Sequence, residues 1–299
     1  DFTEESAENL IKLAEISSST LNSLVKNQFL IKNIARNEVN SELLQKINCG
    51  NFNLKKLSDN QQKAADFLKE RIAENKHSVT LIDGVTGSGK TEIYFAAIAK
   101  ILKEKSGQIL ILLPEIILTN QLIKRFSSQF NFEPEIWHSK INNPHKRDVF
   151  YALNKGDVQI LIATRSAIFL PFSNLKLIVI DEEHESSFKQ EDVVNYHGRD
   201  MAILRAKFEN IPVILSSATP SIETFLNAQN GKYHHLILEN KFFNQSKNQT
   251  LLIDMKKEKL ERNCHISTEL RTGIVEALEN NQQSLLFLNR RGYAPPNSV

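Results

Sequence analysis

Gly84-Val85-Thr86-Gly87-Ser88-Gly89-Lys90-Thr91 fills every fixed position of the G-x-x-x-x-G-K-[ST] phosphate-binding loop. The chemistry follows from the residue types. Glycines let successive backbone N–H groups turn inward as an anion-binding nest, Lys90 reaches the β- and γ-phosphates, and the Thr91 hydroxyl ligates Mg2+. Ser78 to Asp83 reads as a short buried strand and Thr91 to Lys103 has helical periodicity, so the phosphates are expected at a helix N-terminus. Gly84, Thr86, Gly87, Ser88, Gly89, Lys90 and Thr91 are therefore the expected nucleotide-binding residues. A ligand-free turn between strand and helix is the bland alternative.

Outward from this loop, residues 57–240 alternate apolar strands with amphipathic helices. Candidate strands are Val79–Ile82, Ile109–Leu113, Val158–Ile162, Leu177–Ile180, Val213–Leu215 and His235–Leu238. Several are unbroken Ile/Leu/Val runs, as parallel strands covered on both faces require. The expected fold class is α/β, a doubly wound parallel sheet of the P-loop NTPase kind. Residues 1–40 carry two helical patterns, Ala7–Ile16 and Ser19–Asn27, then the apolar Phe29-Leu30-Ile31, compatible with part of a winged-helix module or with a plain helical lead-in. Residues 41–56 read as a linker and 241–263 as a connector with a short strand at Leu251–Ile253. Residues 264–299 read as the start of a second α/β unit, with a helix at Glu269–Glu279 and a strand at Ser284–Leu288.

Composition bounds the function class. Of 299 residues, 41% are hydrophobic and 24% charged, ordinary for a globular protein, and no apolar run of membrane-spanning length occurs. The net charge of +2 neither announces nor excludes a nucleic-acid partner. Cys49 and Cys264 stand far apart without a C-x-x-C pair, which specifies neither disulfide nor zinc site and suits a cytoplasmic setting.

Further chemistry lies at strand ends. Asp181-Glu182-Glu183-His184 follows Leu177–Ile180, at the sheet edge where ligands bind in open α/β folds. Asp181 is placed to hold Mg2+ through water, and Glu182 to orient and deprotonate the water that attacks the γ-phosphate. With Lys90 these are the expected catalytic residues, and Thr91 and Asp181 the magnesium ligands. Ser217-Ala218-Thr219 emerges at the same edge, where small hydroxyls can bridge the acidic cluster to other parts of the molecule. Gln61, just upstream of a helix, offers a donor and an acceptor to an adenine edge; the alternative is an ordinary helix start. Arg165 can grip a backbone phosphate, and the loop containing Phe188, Tyr196 and Arg199 can touch single-stranded DNA close to Glu182.

Seven strings, in this order, resemble the superfamily-2 helicases and, within them, the bacterial replication-restart helicases: 84–94 (GVTGSGKTEIY), 113–121 (LPEIILTNQ), 137–139 (WHS), 163–172 (ATRSAIFLPF), 181–190 (DEEHESSFKQ), 217–221 (SATPS) and 286–295 (LFLNRRGYAP). The resemblance implies a RecA-like first helicase lobe in residues 57–240 and an ATP-driven 3′→5′ DNA helicase, which reassembles primosomes at stalled forks. Lys90 and Thr91 then take the phosphate and magnesium roles, Asp181 and Glu182 the metal and catalytic roles, and Gln61 the adenine role. His184, Ser217, Ala218 and Thr219 couple hydrolysis to DNA movement, and Arg165, Ser166, Phe188, Lys189, Tyr196 and Arg199 face DNA. Implied partners are forked or single-stranded DNA, primosome proteins and single-stranded-DNA-binding protein; implied cofactors are ATP and Mg2+, with zinc in the full-length family. The family's cysteine-rich zinc segment and second lobe follow the last string, so residues 1–299 read as a fragment or truncated product that binds ATP with little turnover. A restriction- or nuclease-associated translocase and a non-catalytic, nucleotide-gated binding remnant are the rival readings.

Overall fold

The computed structural model describes residues 7–27, 29–30, 52–114, 120–192, 194–238, 250–257 and 266–287. The chain divides into two units, residues 1–244 and 245–299. In the first, helices α1 (Ala7–Leu13) and α2 (Ser18–Lys26) come before the α/β core. Phe29 and Leu30 lie in a bend rather than the expected strand, and Ile31 lies outside the described residues.

The core begins with α3 (Asp59–Ala73), followed by β1 (Ser78–Gly84), α4 (Lys90–Glu104), β2 (Gln108–Leu112), α5 (Asn120–Phe130), β3 (Glu135–Trp137), α6 (Asn143–Lys155), β4 (Ile160–Ala163) and β5 (Leu175–Asp181). A short antiparallel hairpin, β6 (Lys189–Gln190) and β7 (Tyr196–His197), leads into α7 (Gly198–Glu209), β8 (Pro212–Ser217), α8 (Ile222–Gln229) and β9 (His234–Leu238). Local chemistry sets the boundaries. Ser58 and Gln61 close a reciprocal capping box at the start of α3, and Asn142 caps α6, which ends at Gly156 with φ 84°.

Seven strands form one sheet in the order β3-β4-β2-β5-β8-β1-β9, every described pairing in it parallel. Alternate strand residues enter two separate cores, the pattern of a sheet covered on both faces. Ile82, Ile111, Ile162, Val179 and Ile214 pack with α3, α4 and α5 on one face. Leu81, Leu112, Leu161, Ile180 and Leu215 pack with α6, α7 and α8 on the other. All six expected strands exist within a residue or two of their expected bounds. The part of the expected linker that is described, from Phe52 onward, is fixed to this core: Phe52 meets Phe130 edge-on at 5.1 Å, and the Asn53 N–H donates to the Gln129 carbonyl at 2.6 Å.

In the second unit α9 (Thr268–Glu279) forms as expected, with Ser267 as its N-cap. The two short strands expected beside it do not form: residues 250–253 and 282–287 are irregular, and Leu252 and Leu285 are 94% and 95% exposed. An isolated apolar run has no second strand to satisfy its backbone N–H and C=O groups, so apolar character alone does not make it one. Leu288 and the cysteines lie outside the described residues, as does most of the expected connector.

Candidate nucleotide site

Because the strands run parallel, every motif that follows a strand emerges at one edge of the sheet. The phosphate loop leaves β1, Arg165 follows β4, Asp181 closes β5 and Ser217 closes β8. β8 lies between β1 and β5, so Ser216 is flanked by Ile82 on one side and Asp181 on the other.

In the loop, Gly87 and Gly89 have φ of 81° and 86°, the left-handed geometry that turns amides inward. A Cβ on Gly87 would meet nothing within 4 Å, whereas one on Gly89 would lie 2.3 Å from Gln61 Nε2. The Ser88 hydroxyl is buried without a hydrogen-bond partner among the described residues. Lys90, nearly buried at the first turn of α4, donates to the Gly84 carbonyl at 2.6 Å. Burial holds its ammonium below the ordinary lysine value, against the upward pull of Glu182, Asp181 and Asp83. An inward nest, an unsatisfied hydroxyl and a desolvated ammonium fit a polyphosphate, which would satisfy all three.

Asp181 is held from three directions. Its Oδ1 accepts from the Ser216 hydroxyl at 2.7 Å and from the Glu182 N–H at 3.1 Å, and its Oδ2 accepts from the Tyr94 hydroxyl at 2.9 Å. Glu182 sits at φ 49°, a backbone state uncommon outside glycine and typical of functional turns. Burial, then Asp181, raises its carboxyl above the ordinary value. Among the described residues no cluster of three or more His, Cys, Asp or Glu could hold a metal alone. Mg2+ keeps most of its shell as water and phosphate oxygens around one or two protein ligands. Thr91 and Asp181 are the residues that would hold it.

His184 Nδ1 lies 2.7 Å from Ser217 Oγ, and the Thr219 N–H donates to that same hydroxyl at 3.0 Å. The expected coupling residues His184, Ser217 and Thr219 are thus brought together, with Ala218 between them in sequence. Gln61 is placed differently from the expectation. It is 5% exposed, its Oε1 accepts from the Ser58 N–H at 2.9 Å and its Nε2 donates to the Ser88 carbonyl at 2.8 Å. Its amide braces the phosphate loop against the start of α3 instead of standing open to a base.

Two of the expected DNA contacts are corrected by burial. Phe188 is 1% exposed and belongs to the core beneath β5. Arg199 is 7% exposed and donates to Glu183 Oε2 at 2.9 Å, to the Ser221 hydroxyl and to Asp200. Glu183, fully buried, also accepts from the Ser221 N–H at 2.8 Å and the Thr224 hydroxyl at 2.9 Å. This network ties the acidic turn to the starts of α7 and α8. A lone arginine and glutamate sixteen positions apart gave no sequence signal of it. Arg165 uses one Nη1 to donate to the Ser187 and Lys189 carbonyls at 2.6 and 2.8 Å, holding the loop that carries the hairpin. Ser166 and Lys189 remain exposed, and Tyr196, half-buried, packs edge-on at 5.2 Å against the exposed Phe169. Tyr94 and Ser216, both missed by motif reading, are the residues that fix Asp181.

Among the described residues no helix is long and apolar enough to cross a membrane. A family model described as DEAD/DEAH box helicase matches residues 58–227. The replication restart protein PriA of Rickettsia conorii is 48% identical over 251 residues, covering 84% of this chain and 38% of that protein. The replication restart protein PriA of Bacillus subtilis is 36% identical over 292 residues, covering 96% of this chain and 36% of that protein. The crystal structure of the Pyrococcus furiosus Hef helicase domain is similar at 25% identity with a TM-score of 0.42, covering 58% of this chain and 37% of that chain. The chain spans little more than a third of the length of the curated relatives it matches.

Proposed function

Since the chain belongs to the DEAD/DEAH box helicase family, we propose that it supplies the ATP-binding lobe of a 3′→5′ DNA helicase acting in replication restart. The convergence of the phosphate loop, the Asp181–Glu182 pair and the His184–Ser217 hydrogen bond on one sheet edge carries this reading. In it, Lys90 and the loop amides bind the β- and γ-phosphates, with Ser88 and Thr91 adding hydroxyls. When bound, Mg2+ would neutralise charge developing on the β- and γ-phosphate oxygens. Glu182 orients the attacking water and takes its proton, and its raised carboxyl value makes it a better base than an ordinary surface glutamate. His184 carries the change at Glu182 to Ser217 at the end of β8. Ser166, Lys189, Tyr196 and Phe169 form the accessible rim for single-stranded DNA, where aromatic rings stack bases and lysine meets phosphate. Arg165 would report DNA on that rim through the loop it clamps.

The setting is the cytoplasm, where replication forks, primosome proteins and single-stranded-DNA-binding protein are the partners that the resemblance to the PriA proteins suggests. Residues 1–299 alone are expected to bind Mg·ATP with little turnover, because an arginine finger from elsewhere contributes about 10³–10⁵ in rate in such reactions. The test is fluorescent-ATP binding by purified 1–299 with and without single-stranded DNA, alongside phosphate release. Micromolar binding abolished by Lys90→Ala is expected; absence of any nucleotide binding overturns the reading. Robust DNA-stimulated turnover lost in Glu182→Gln would sink the expectation of little turnover.

A further inference from the structure

Asp181 offers about four lone-pair sites as a carboxylate, and the structure accounts for three of them. Oδ1 takes the Ser216 hydroxyl and the Glu182 N–H, which fills it. Oδ2 takes the Tyr94 hydroxyl and, among the described residues, keeps one lone pair. Tyr94 is fully buried and stands one helical turn after Lys90 on α4, so its ring is fixed by the same helix that presents the phosphate loop. The ring is further pinned edge-on against Phe95 at 5.2 Å. A hydroxyl at the end of so rigid a side chain sets the rotation of the carboxylate it binds.

We propose that Tyr94 is the positioning residue for the magnesium site: by holding Oδ2 of Asp181 from behind, it aims the remaining lone pair at the metal's water shell beside Thr91. This rests on the nucleotide-site reading above. The phenol touches neither nucleotide nor metal; it acts through the two groups that would hold the metal, Asp181 and Thr91, and is hydrogen-bonded to both side chains. Because Tyr94 and Thr91 also share α4, the distance between those two groups is set by one helix and one phenol. Without the phenol the carboxylate is held through Oδ1 alone, by the Ser216 hydroxyl and the Glu182 N–H, and Oδ2 loses the bond that fixes its direction.

The experiment measures the affinity of a fluorescent ATP analogue for the 299-residue chain without Mg2+ and across a Mg2+ titration, in wild type, Tyr94→Phe and Tyr94→Met. Both substitutions remove the hydroxyl; Phe keeps the ring, and Met keeps an apolar side chain of smaller volume. The expected result is unchanged Mg2+-free affinity, with about tenfold more Mg2+ needed for half of the metal-dependent tightening, the scale of one hydrogen bond to a charged group. Wild-type Mg2+ dependence in either folded variant overturns the proposal. A Tyr Cζ carbon-13 label on the wild-type chain reads the same bond without substitution: the buried phenol resonance should move when Mg2+ is added to nucleotide-saturated protein, and no movement overturns the proposal. If wild type binds no nucleotide at all, the underlying site reading has failed, a result distinct from normal Mg2+ dependence in the variants.

Discussion

Replacing Arg199 with Met removes the only cation bonded to the fully buried Glu183 among the described residues while keeping most of the side-chain volume. Breaking one partner of a buried pair costs roughly 3–5 kcal/mol, because the other charge stays behind uncompensated. Here the Ser221 N–H, the Ser221 hydroxyl and the Thr224 hydroxyl still donate to the carboxylate, at 2.8, 3.2 and 2.9 Å. The low end, about 3 kcal/mol, is therefore expected, and for a domain of this size that lowers the melting temperature by about 6–12 °C. Adding Glu183→Gln removes the stranded charge, so the double variant should recover about half of the loss. The coupling energy from the four melting curves isolates the pair. Scanning calorimetry at neutral pH is the assay. A single variant within about 1 kcal/mol of wild type, or strict additivity in the double variant, refutes the reasoning and returns Arg199 to the role of a free DNA contact.

Three further outcomes are expected. Burial and Asp181 raise the Tyr94 phenol well above its ordinary value of 10.0, so the folded state keeps its proton where the unfolded state loses it. That stability is fully present below the unfolded value and lost as pH rises through the folded one; between pH 10 and 11 wild type should lose up to about 1 kcal/mol more than Tyr94→Phe in urea unfolding, and parallel curves would count against it. Gly89→Ala places a Cβ at φ 86° against Gln61 Nε2, so nucleotide binding measured by fluorescence should vanish with about 1–3 kcal/mol of destabilisation. Lys90, depressed by burial, should lose its proton below the ordinary lysine value of 10.5, so ATP affinity should fall at a lower pH than a surface lysine would give; a flat profile to pH 10.5 contradicts this.

The sheet was legible because several of its strands are continuous Ile/Leu/Val runs, as strands buried on both faces require, and the helices between them are amphipathic. β3 was missed because Glu135-Ile136-Trp137 is too short to show alternation, and β6 and β7 because two residues of pairing leave no pattern. The phosphate loop, Asp181 and Glu182 could be picked out from types and order, and Ser217 from its place at the same sheet edge; His184 was singled out only through the family resemblance, and its bond to Ser217 comes from the structure. What sequence could not give was the inward side of the site. Tyr94 and Phe188 look alike as aromatics near motifs, yet one bonds Asp181 and the other fills the core. Gln61 looked like a base reader because its amide has free valences on paper; in space the capping box takes one on Oε1, the Ser88 carbonyl takes one on Nε2, and the side chain is buried.

The strand order has a consequence for synthesis. β1 is hydrogen-bonded only to β8 and β9 within the described sheet, so Ser78 waits for Pro212 and Thr80 for His234 before its strand has any neighbour. At about 5–20 residues per second, β1 therefore spends on the order of ten seconds as an unpaired apolar strand, with the phosphate loop behind it unanchored. Meanwhile β2 and β4 are available to pair as soon as each emerges, and β5 can add to them. Nucleotide can first stabilise the nascent chain only when β8 slides between β5 and β1, which makes that insertion, ahead of the later addition of β9 to β1, the first moment at which the molecule can sense ATP.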